Sequence, residues 1–325
     1  MQFHLNYTHP KQNSAIDHSH KVLLLGSCFA ENIGEKLISA KFNSLLNPNG
    51  ILFNPISIVN ALNSYININE AQEEDVVKSE GLFKSLNHHG SFAFNSKTEL
   101  TDAVYDTNKK TNEFLKDAEY LIITFGTSKV FRFNNTNKIV ANCHKLPQNN
   151  FTRVQLQPQE INESYNALIK SLKLINPLLK IIFTVSPVKY LRDGLIENNL
   201  SKSVLIYAVH ELTKLHNHCT YFPAYELVND DLRDYRFYKE DMAHPNEQAI
   251  NYVWEKFSES YFSANTQQLL LKINEINLAV SHRPINTTNG LHAQFKQNYL
   301  QKCMELEKEY PFLNFTKETI HFSHL

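Results

Sequence analysis

The stretch KVLLLGSCFAENIG, from Lys21 to Gly34, predicts a buried strand that turns directly into a helix. Its apolar run is too continuous for a half-exposed strand and too short for a helix, which is typical of a parallel strand buried on both faces. The run ends on Gly26. Open α/β sheets bind ligands outside the carboxyl ends of such strands, and this position belongs to Ser27 and Cys28.

Two further apolar runs predict the rest of a parallel sheet. They are YLIITFG, from Tyr120 to Gly126, and KIIFTVSP, from Lys180 to Pro187. Apolar residues recur at helical spacing between and after these runs, and CTYFPAY, from Cys219, predicts a fourth short strand. Because strands and helices alternate, we predict a doubly wound α/β fold whose closing helix is NEQAINYVWEKFSESYF.

The length between the first two strands predicts an insertion at about residues 45–116, since a plain crossover needs far fewer residues. Within it we predict a helix from Pro55 to Asn63 and a hairpin around Asn87 to Gly90. We therefore assign residues 1–263 to one α/β domain that contains this insertion.

Residues 264–325 predict a helical C-terminal extension, interrupted by the polar loop RPINTTNG at 283–290. We expect this extension to cover the site or a partner. Any oligomer is expected to form through these helices.

The composition argues against several kinds of partner. A net charge of −1 gives no excess of cations for nucleic acid or for an anionic membrane. No apolar run reaches the length of a membrane span and no signal peptide is visible, so we expect a cytoplasmic protein. The four cysteines are widely spaced without a C-x-x-C pair, which predicts free thiols. We predict no cofactor and no metal.

Two interpretations of Ser27 and Cys28 follow from their place at the start of a helix. The positive end of the helix dipole lowers the pKa of a thiol, which favours Cys28 as a nucleophile. Alternatively, Ser27 or Cys28 caps the helix, because Glu31 stands at the capping-box distance from Cys28.

Far downstream, the motif DMAHP supplies the partners that a nucleophile needs. Asp241 precedes His244 by three residues, so one short turn brings both side chains to the same side. The carboxylate would orient the imidazole, which would take a proton from a thiol or hydroxyl. In isolation, the same motif is also typical of an ordinary surface turn.

Together these residues resemble the GSCFA family, which is related to the SGNH, or GDSL-like, hydrolases. The resemblance covers roughly the first 260 residues. It implies a three-layer, flavodoxin-like fold with a mostly parallel sheet, and an SGNH-like acyl esterase activity. The motifs that carry it, in order, are LGSCFAENIG, NPNGILFNP, VANCHKLP, TVSPVKYLRDG, NLSKSVL and YFPAYELVNDDLRDYRFYKEDMAHP.

Compared residue by residue with the SGNH pattern, Ser27 stands where that pattern has aspartate, and Cys28 where it has the nucleophilic serine. The resemblance therefore favours Cys28 as the nucleophile, with Ser27 as the fallback. It implies that His244 is the base and that Asp241 orients it.

The usual oxyanion-hole asparagine is missing, because GTSK, from Gly126, stands where the pattern has G-x-N-D. Gly50 matches the glycine of the second block. We expect oxyanion donors among the N–H groups of Cys28 and Gly50 and the side chains of Ser128 or Asn142, and Gly126 is a further candidate for the oxyanion hole or the pocket.

Four other features are candidates for roles in the site. His144 lies beside Cys143 in ANCHKLP and is expected to line the pocket; a zinc site formed by these two residues with Cys28 and His244 is a weaker alternative. Arg233 and Arg236, in a mixed-charge loop, are candidates for an anionic substrate. Ser186, after the third strand, is a rival nucleophile by position, although Pro187 favours a strand-ending role.

Three functions are compatible with these residues. The first is hydrolysis of small-molecule or carbohydrate-linked acyl esters, and the second is acyl or acetyl transfer with the same residues and a different acceptor. The third is a non-catalytic protein that binds a glycan or an acylated ligand, which the missing aspartate and asparagine favour.

Overall fold

Strands and helices alternate along most of the chain. The computed structural model describes residues 7, 10, 11, 15–282 and 290–323, so the polar loop predicted at 283–290 lies outside the described residues except for Gly290. The strands are β1 (Lys21–Gly26), β2 (Asn43–Leu46), β3 (Val76–Ser79), β4 (Leu82–Ser85), β5 (Ala93–Phe94), β6 (Tyr120–Phe125), β7 (Lys129–Phe133), β8 (Lys138–Val140), β9 (Phe151–Gln155), β10 (Lys180–Val185) and β11 (Cys219–Phe222). The helices are α1 (Cys28–Ser39), α2 (Pro55–Asn67), α3 (Lys97–Lys116), α4 (Pro158–Ile175), α5 (Leu195–Leu215), the short α6 (Ala224–Glu226), α7 (Glu247–Tyr261), α8 (Ala264–Ser281), α9 (Gly290–Glu309) and α10 (Thr316–Ser323).

A five-stranded sheet of order β11-β10-β6-β1-β2 lies at the centre, and all its strand pairs are parallel. The chain first adds β2 beside β1 and then returns to the other side of β1 to add β6, β10 and β11. This order confirms the predicted doubly wound α/β fold. It also makes the gap between β1 and β6 a switch point, where open sheets bind ligands beyond the carboxyl ends of the strands.

Helices cover both faces of the sheet, which gives three layers. Side chains of successive residues in β1 point to opposite faces of the sheet. Leu23 and Leu25 belong to a core shared with α2, α4 and α5. Val22 and Leu24 belong to a second core, formed with α1 and α7. The sheet is therefore buried on both sides, as its continuous apolar strands predict.

The insertion begins after β2 rather than at residue 45, because β2 pairs with β1 in the central sheet. It contains α2, a three-stranded sheet of order β3-β4-β5, and α3. The predicted helix from Pro55 and the hairpin around Asn87 to Gly90, which joins β4 to β5, are both confirmed. A second small sheet of order β8-β7-β9 follows β6 and was not predicted.

The C-terminal extension packs on the end of α1 that lies away from Cys28. Helices α8, α9 and α10 share a core of their own. Lys41 Nζ donates to Glu318 Oε1 at 2.7 Å, and Asn277 Nδ2 donates to the Ser39 carbonyl at 2.9 Å. In these contacts the extension covers the far end of α1 and not the site. None of the helices in the described residues combines the length and the apolar character that crossing a bilayer requires.

Candidate active site

The glycine that ends β1 lets the backbone of the site approach β6. Gly26 has φ of 142°, and a Cβ built on it would lie 2.2 Å from the carbonyl oxygen of Thr124. Gly26 N–H donates to Asn47 Oδ1 at 2.9 Å, which connects the ends of β1 and β2. A side chain at this position would force the two strand ends apart.

Ser27 is the cap of α1. Its hydroxyl accepts a hydrogen bond from Phe29 N–H at 3.3 Å, and the residue is only 2% exposed. The capping alternative is therefore correct for Ser27. Cys28 is the first residue of α1, is half-buried and is a free thiol, as are the other three cysteines.

Burial dominates the electrostatics of Cys28. It raises the pKa of the thiol, while the Lys202 ammonium opposes this rise and the Glu31 carboxylate adds to it. Hydrogen bonds from the backbone N–H groups of Cys28 and Phe29 also favour the thiolate. The expected net lowering of the pKa by the helix is wrong, because desolvation outweighs it. Attack by the Cys28 thiol therefore needs a base.

Asp241 and His244 form the pair that the sequence predicts. His244 Nδ1 donates to Asp241 Oδ2 at 2.6 Å, so the other ring nitrogen, Nε2, is not used by the carboxylate. Asp241 Oδ1 accepts from the N–H groups of Ala243 and His244, both at 2.9 Å. These backbone bonds, followed by the imidazole bond, lower the pKa of Asp241, which stays ionised and orients the ring.

Two contacts connect this turn to the carboxyl edge of the sheet. Lys189, in the loop after β10, donates its N–H to the Ala243 carbonyl at 3.0 Å. Its ammonium lies 3.7 Å from the centroid of the Tyr238 ring, a cation–π contact next to the turn. Because the strands of the central sheet are parallel, the carboxyl ends of β1, which leads to Cys28, and of β10, whose following loop contacts the Asp241–His244 turn, lie at the same edge of the sheet.

Three groups expected to form the oxyanion hole already have partners inside the protein. Gly126 N–H donates to the Phe53 carbonyl at 2.8 Å, and Gly50 N–H closes a turn on the Asn47 carbonyl at 2.7 Å. Ser128 is fully buried, and its hydroxyl donates to Ser201.

Asn142 and His144 stabilise the peripheral sheets. His144 Nε2 donates to the Ser85 carbonyl at 2.7 Å, and His144 N–H donates to Asn142 Oδ1 at 2.8 Å. The Ser79 hydroxyl donates to the His144 carbonyl at 2.6 Å. The imidazole is thus engaged with β4. Burial raises the pKa of the neighbouring Cys143 to about 11, as expected for an inert thiol.

The remaining candidates separate into exposed and buried groups. Arg233 and Arg236 are exposed in the loop before the Asp241 turn, and Arg236 stacks on Phe237 with 5.0 Å to the ring centroid. Ser186 is fully buried, and its hydroxyl accepts from Val188 N–H at 3.3 Å, in line with a strand-ending role.

No cluster of three or more metal-ligating His, Cys, Asp or Glu side chains occurs in the described residues, which leaves the zinc alternative without a site there.

Two neighbouring residues of α5, Ser201 and Lys202, bond the strand ends of the site and were not predicted from the sequence. The Ser201 hydroxyl accepts from Ser128 N–H at 2.8 Å and lies 3.1 Å from the Thr127 hydroxyl. Lys202 Nζ donates to the carbonyl oxygens of Gly126 at 2.6 Å and Ser186 at 2.7 Å. A signal for Lys202 was present in NLSKSVL, because it precedes Leu205, Val209 and Leu212 at helical spacing and so lies on the buried face.

Asn47 was also missed. It directly follows β2, is only 8% exposed, and uses its Oδ1 to accept from Gly26 N–H. Its Nδ2 has no hydrogen-bond partner among the described residues. Because this donor follows the strand next to the one that leads to Cys28, it is a candidate donor for the site.

The fold and this site define a three-layer α/β protein whose candidate active site lies at the carboxyl edge of a parallel sheet, around a strand-end thiol. The chain belongs to the GSCFA family: the model of that family matches residues 21–257, and the model of the GSCFA domain protein, C-terminal domain, matches residues 273–324. The resemblance seen in the motifs is therefore confirmed.

Comparison with solved structures finds distant likenesses. A carbohydrate esterase family 3 from Talaromyces cellulolyticus is 11% identical, covers 79% of this chain and 99% of its own, and has a TM-score of 0.36. An acetyl xylan esterase from the rumen bacterium Butyrivibrio proteoclasticus is 10% identical, covers 76% of this chain and 64% of its own, and has a TM-score of 0.36. No curated protein matches the chain.

Proposed function

We propose that the protein hydrolyses acyl esters, with Cys28 as the nucleophile and the Asp241–His244 pair as an acid–base group of the site. One observation carries the proposal. A free thiol follows the end of β1, and a hydrogen-bonded carboxylate–imidazole pair lies in a turn that contacts the loop after β10; the carboxyl ends of these parallel strands lie at one edge of the sheet. This edge is where open α/β sheets bind their ligands.

The reaction proceeds in two steps. In the first, the thiol of Cys28 gives its proton to a base of the site, the sulfur attacks the ester carbonyl, the bond to the alcohol oxygen breaks, and a protonated His244 donates a proton to that oxygen. In the second, His244 takes a proton from water, the hydroxide attacks the thioester, and the carboxylic acid leaves while the departing sulfur regains its proton from the same base. Asp241 accepts from His244 Nδ1 throughout, which leaves Nε2 for proton transfer.

Burial and hydrogen bonding favour Cys28 over Ser27. Ser27 is almost fully buried, and its hydroxyl is used as the helix cap, whereas Cys28 is half-buried. A thiol also loses its proton far more readily than an alcohol, since its usual pKa is about 8.5.

For the oxyanion, we propose the backbone N–H of Cys28 and Nδ2 of Asn47. The first N–H groups of a helix have no intrahelical partner and carry the positive end of its dipole. Asn47 Nδ2 is buried without a partner in the described residues, and its amide is oriented by the Gly26 N–H. Donors fixed before the reaction stabilise the developing charge without reorganisation.

The substrate is a small acyl ester, and carbohydrate-linked acyl groups are the class we favour from the family resemblance. Arg233 and Arg236 are exposed in the loop that leads to Asp241, where they would meet an anionic part of the substrate. Transfer of the acyl group to a sugar would use the same residues, with the sugar hydroxyl in place of water.

Turnover of p-nitrophenyl acetate tests the proposal. We expect wild-type protein to release p-nitrophenol, Cys28→Ala and His244→Ala to abolish the release, and Ser186→Ala, at the rival serine, to retain it. Circular dichroism checks that each variant is folded. Activity that survives both Cys28→Ala and His244→Ala would rule out the mechanism, and a wild type that binds acetylated sugars without turnover would favour a binding protein.

A further inference from the structure

Lys202 is a buried cation that the proposed reaction has not used. The residue is 2% exposed, and its ammonium donates to two carbonyl oxygens, those of Gly126 and Ser186. No carboxylate pairs with it in the described part of the chain. A buried ammonium without a counter-charge is expensive, so a lysine at this position needs a reason.

Lys202 bonds a residue that packs on the turn leading to the nucleophile. Gly126 follows β6 and Ser186 follows β10, so Nζ lies just beyond the carboxyl ends of two neighbouring strands. Gly126 in turn packs on the turn that carries Cys28, because a Cβ built on Gly126 would lie 3.3 Å from Ser27 Cβ. Lys202 therefore lies at this edge of the sheet but inside the protein, whereas His244 is exposed.

The hydrogen bonds of Lys202 suit a group that exchanges one proton. A neutral amine has two N–H bonds and one lone pair, and the two carbonyls use two N–H bonds. The third direction holds a lone pair in the amine and an N–H bond in the ammonium.

The electrostatics agree with this geometry. Burial lowers the pKa of Lys202 to about 7, and the Cys28 thiolate opposes this fall. The amine is therefore populated at neutral pH. Among the described residues, Cys28 is the one charged group that raises the pKa of Lys202, and Lys202 in turn lowers the pKa of Cys28. The ionisation of each group therefore depends on that of the other.

We propose that Lys202 is the proton acceptor of Cys28, and that His244 serves the leaving alcohol and the attacking water. This division of roles rests on the proposed function. When Cys28 attacks, the S–H proton passes to the Lys202 amine, which becomes an ammonium. The ammonium retains this proton through the thioester stage and returns it to the sulfur as the thioester breaks down. The proton that His244 gives to the alcohol is replaced from water, so the cycle balances.

Alkylation of Cys28 by iodoacetamide, mapped to its peptide and followed from about pH 6 to about pH 10, tests this pairing directly. Two charged groups shift the pKa of the Cys28 thiol: Lys202 from α5 and Glu31 from α1. The Asp241–His244 pair is the remaining titratable group of the proposed site. We expect Lys202→Met to shift the alkylation profile to higher pH by about one unit or more, with about tenfold slower alkylation near neutral pH. His244→Ala should leave the profile close to wild type.

A matched control is Lys84→Met, because Lys84 is also buried but pairs with Glu80 in a peripheral sheet. Its profile should coincide with wild type. A Lys202→Met profile that also coincides with wild type would overturn the proposal, and so would a shift seen only in His244→Ala.

A second measurement does not require the Lys202 variant to fold. The titration of Lys202 is followed by NMR of ¹³C-labelled lysine in wild type and in Cys28→Ala. Because the thiolate raises the pKa of Lys202, we expect its midpoint to be lower in Cys28→Ala. Identical midpoints would overturn the pairing. Both measurements observe the thiol and the amine and not turnover, so a protein inert toward esters could still show the pair, and an active esterase could still lack it.

Discussion

At the end of β1, the missing side chain of Gly26 is what permits the approach to Thr124. We expect Gly26→Ala to lower the free energy of unfolding by about 3 kcal/mol or more, because a positive φ adds to a clash with a backbone oxygen. Gly194→Ala is the matched control, since Gly194 has φ of 87° but no atom within 4 Å of the added Cβ. It should cost only about 1 kcal/mol. Urea unfolding measures both, and equal losses would show that the contact with β6 is unimportant.

The amide of Asn47 combines a structural and a catalytic role at one residue. Asn47→Asp retains an oxygen that accepts from Gly26 N–H and replaces the Nδ2 donor by a carboxylate oxygen, which cannot donate and would repel the oxyanion. If that donor stabilises the oxyanion, kcat for p-nitrophenyl acetate should fall by about 10²–10³. A thermal melt close to that of the wild type shows that the fold is retained. Unchanged kcat in a folded variant would mean that the oxyanion donors lie elsewhere.

Single residues were predictable where their chemistry is local. Asp241 and His244 stand three apart in one turn, and the structure confirms their hydrogen bond. Lys202 was not found, because its partners Gly126 and Ser186 are far away in sequence and offer backbone oxygens, which no side-chain pattern reveals.

Helix α5 acts on the site as an element, because consecutive residues bond the loops that follow β6 and β10. Ser201 bonds Thr127 and Ser128, while Lys202 bonds Gly126 and Ser186. One helix therefore sets the spacing of two strand ends beside Cys28.

Ser201→Ala tests this role of α5. The change leaves Ser128 N–H buried without its acceptor, which should cost about 1–3 kcal/mol of unfolding free energy. We also expect reduced ester turnover, because the loop that carries Gly126 loses its anchor. Ser203→Ala, on the exposed side of the same helix, is the control and should change neither quantity. Equal effects of the two variants would contradict the role assigned to Ser201.

The strands that the sequence predicts are the most buried ones. β1, β6 and β10 are continuous apolar runs, so the sequence identifies them directly. β2, with the sequence NSLL, has only four residues and is recognisable mainly by its pairing with β1. β7 to β9 form a small antiparallel sheet whose polar and apolar residues are mixed, so no apolar run identifies its strands; β8 pairs with β7 as a short hairpin, and β9 joins from farther along the chain.

At the scale of the whole molecule, the extension and the site lie at opposite ends of α1. The helical character of the extension followed from its periodicity, but its docking position did not. That position depends on contacts such as Lys41 with Glu318, more than 250 residues apart, and no local pattern encodes them. The extension has a core of its own, formed by α8, α9 and α10, and contacts the rest of the protein at the end of α1.

The variant Glu318→Gln tests whether the extension only stabilises the protein or also takes part in the reaction. Lys41 and Glu318 are 14% and 13% exposed in their side chains, so neutralising the carboxylate leaves a largely buried ammonium without its counter-charge. We expect a loss of about 1–3 kcal/mol in unfolding free energy, with ester turnover within about twofold of wild type. Glu309→Gln is the control, because its pair with Lys272 is about half exposed in both side chains and should contribute almost nothing. If Glu318→Gln instead abolished turnover in a protein of unchanged stability, the extension would have to reach the carboxyl edge of the sheet in the working enzyme.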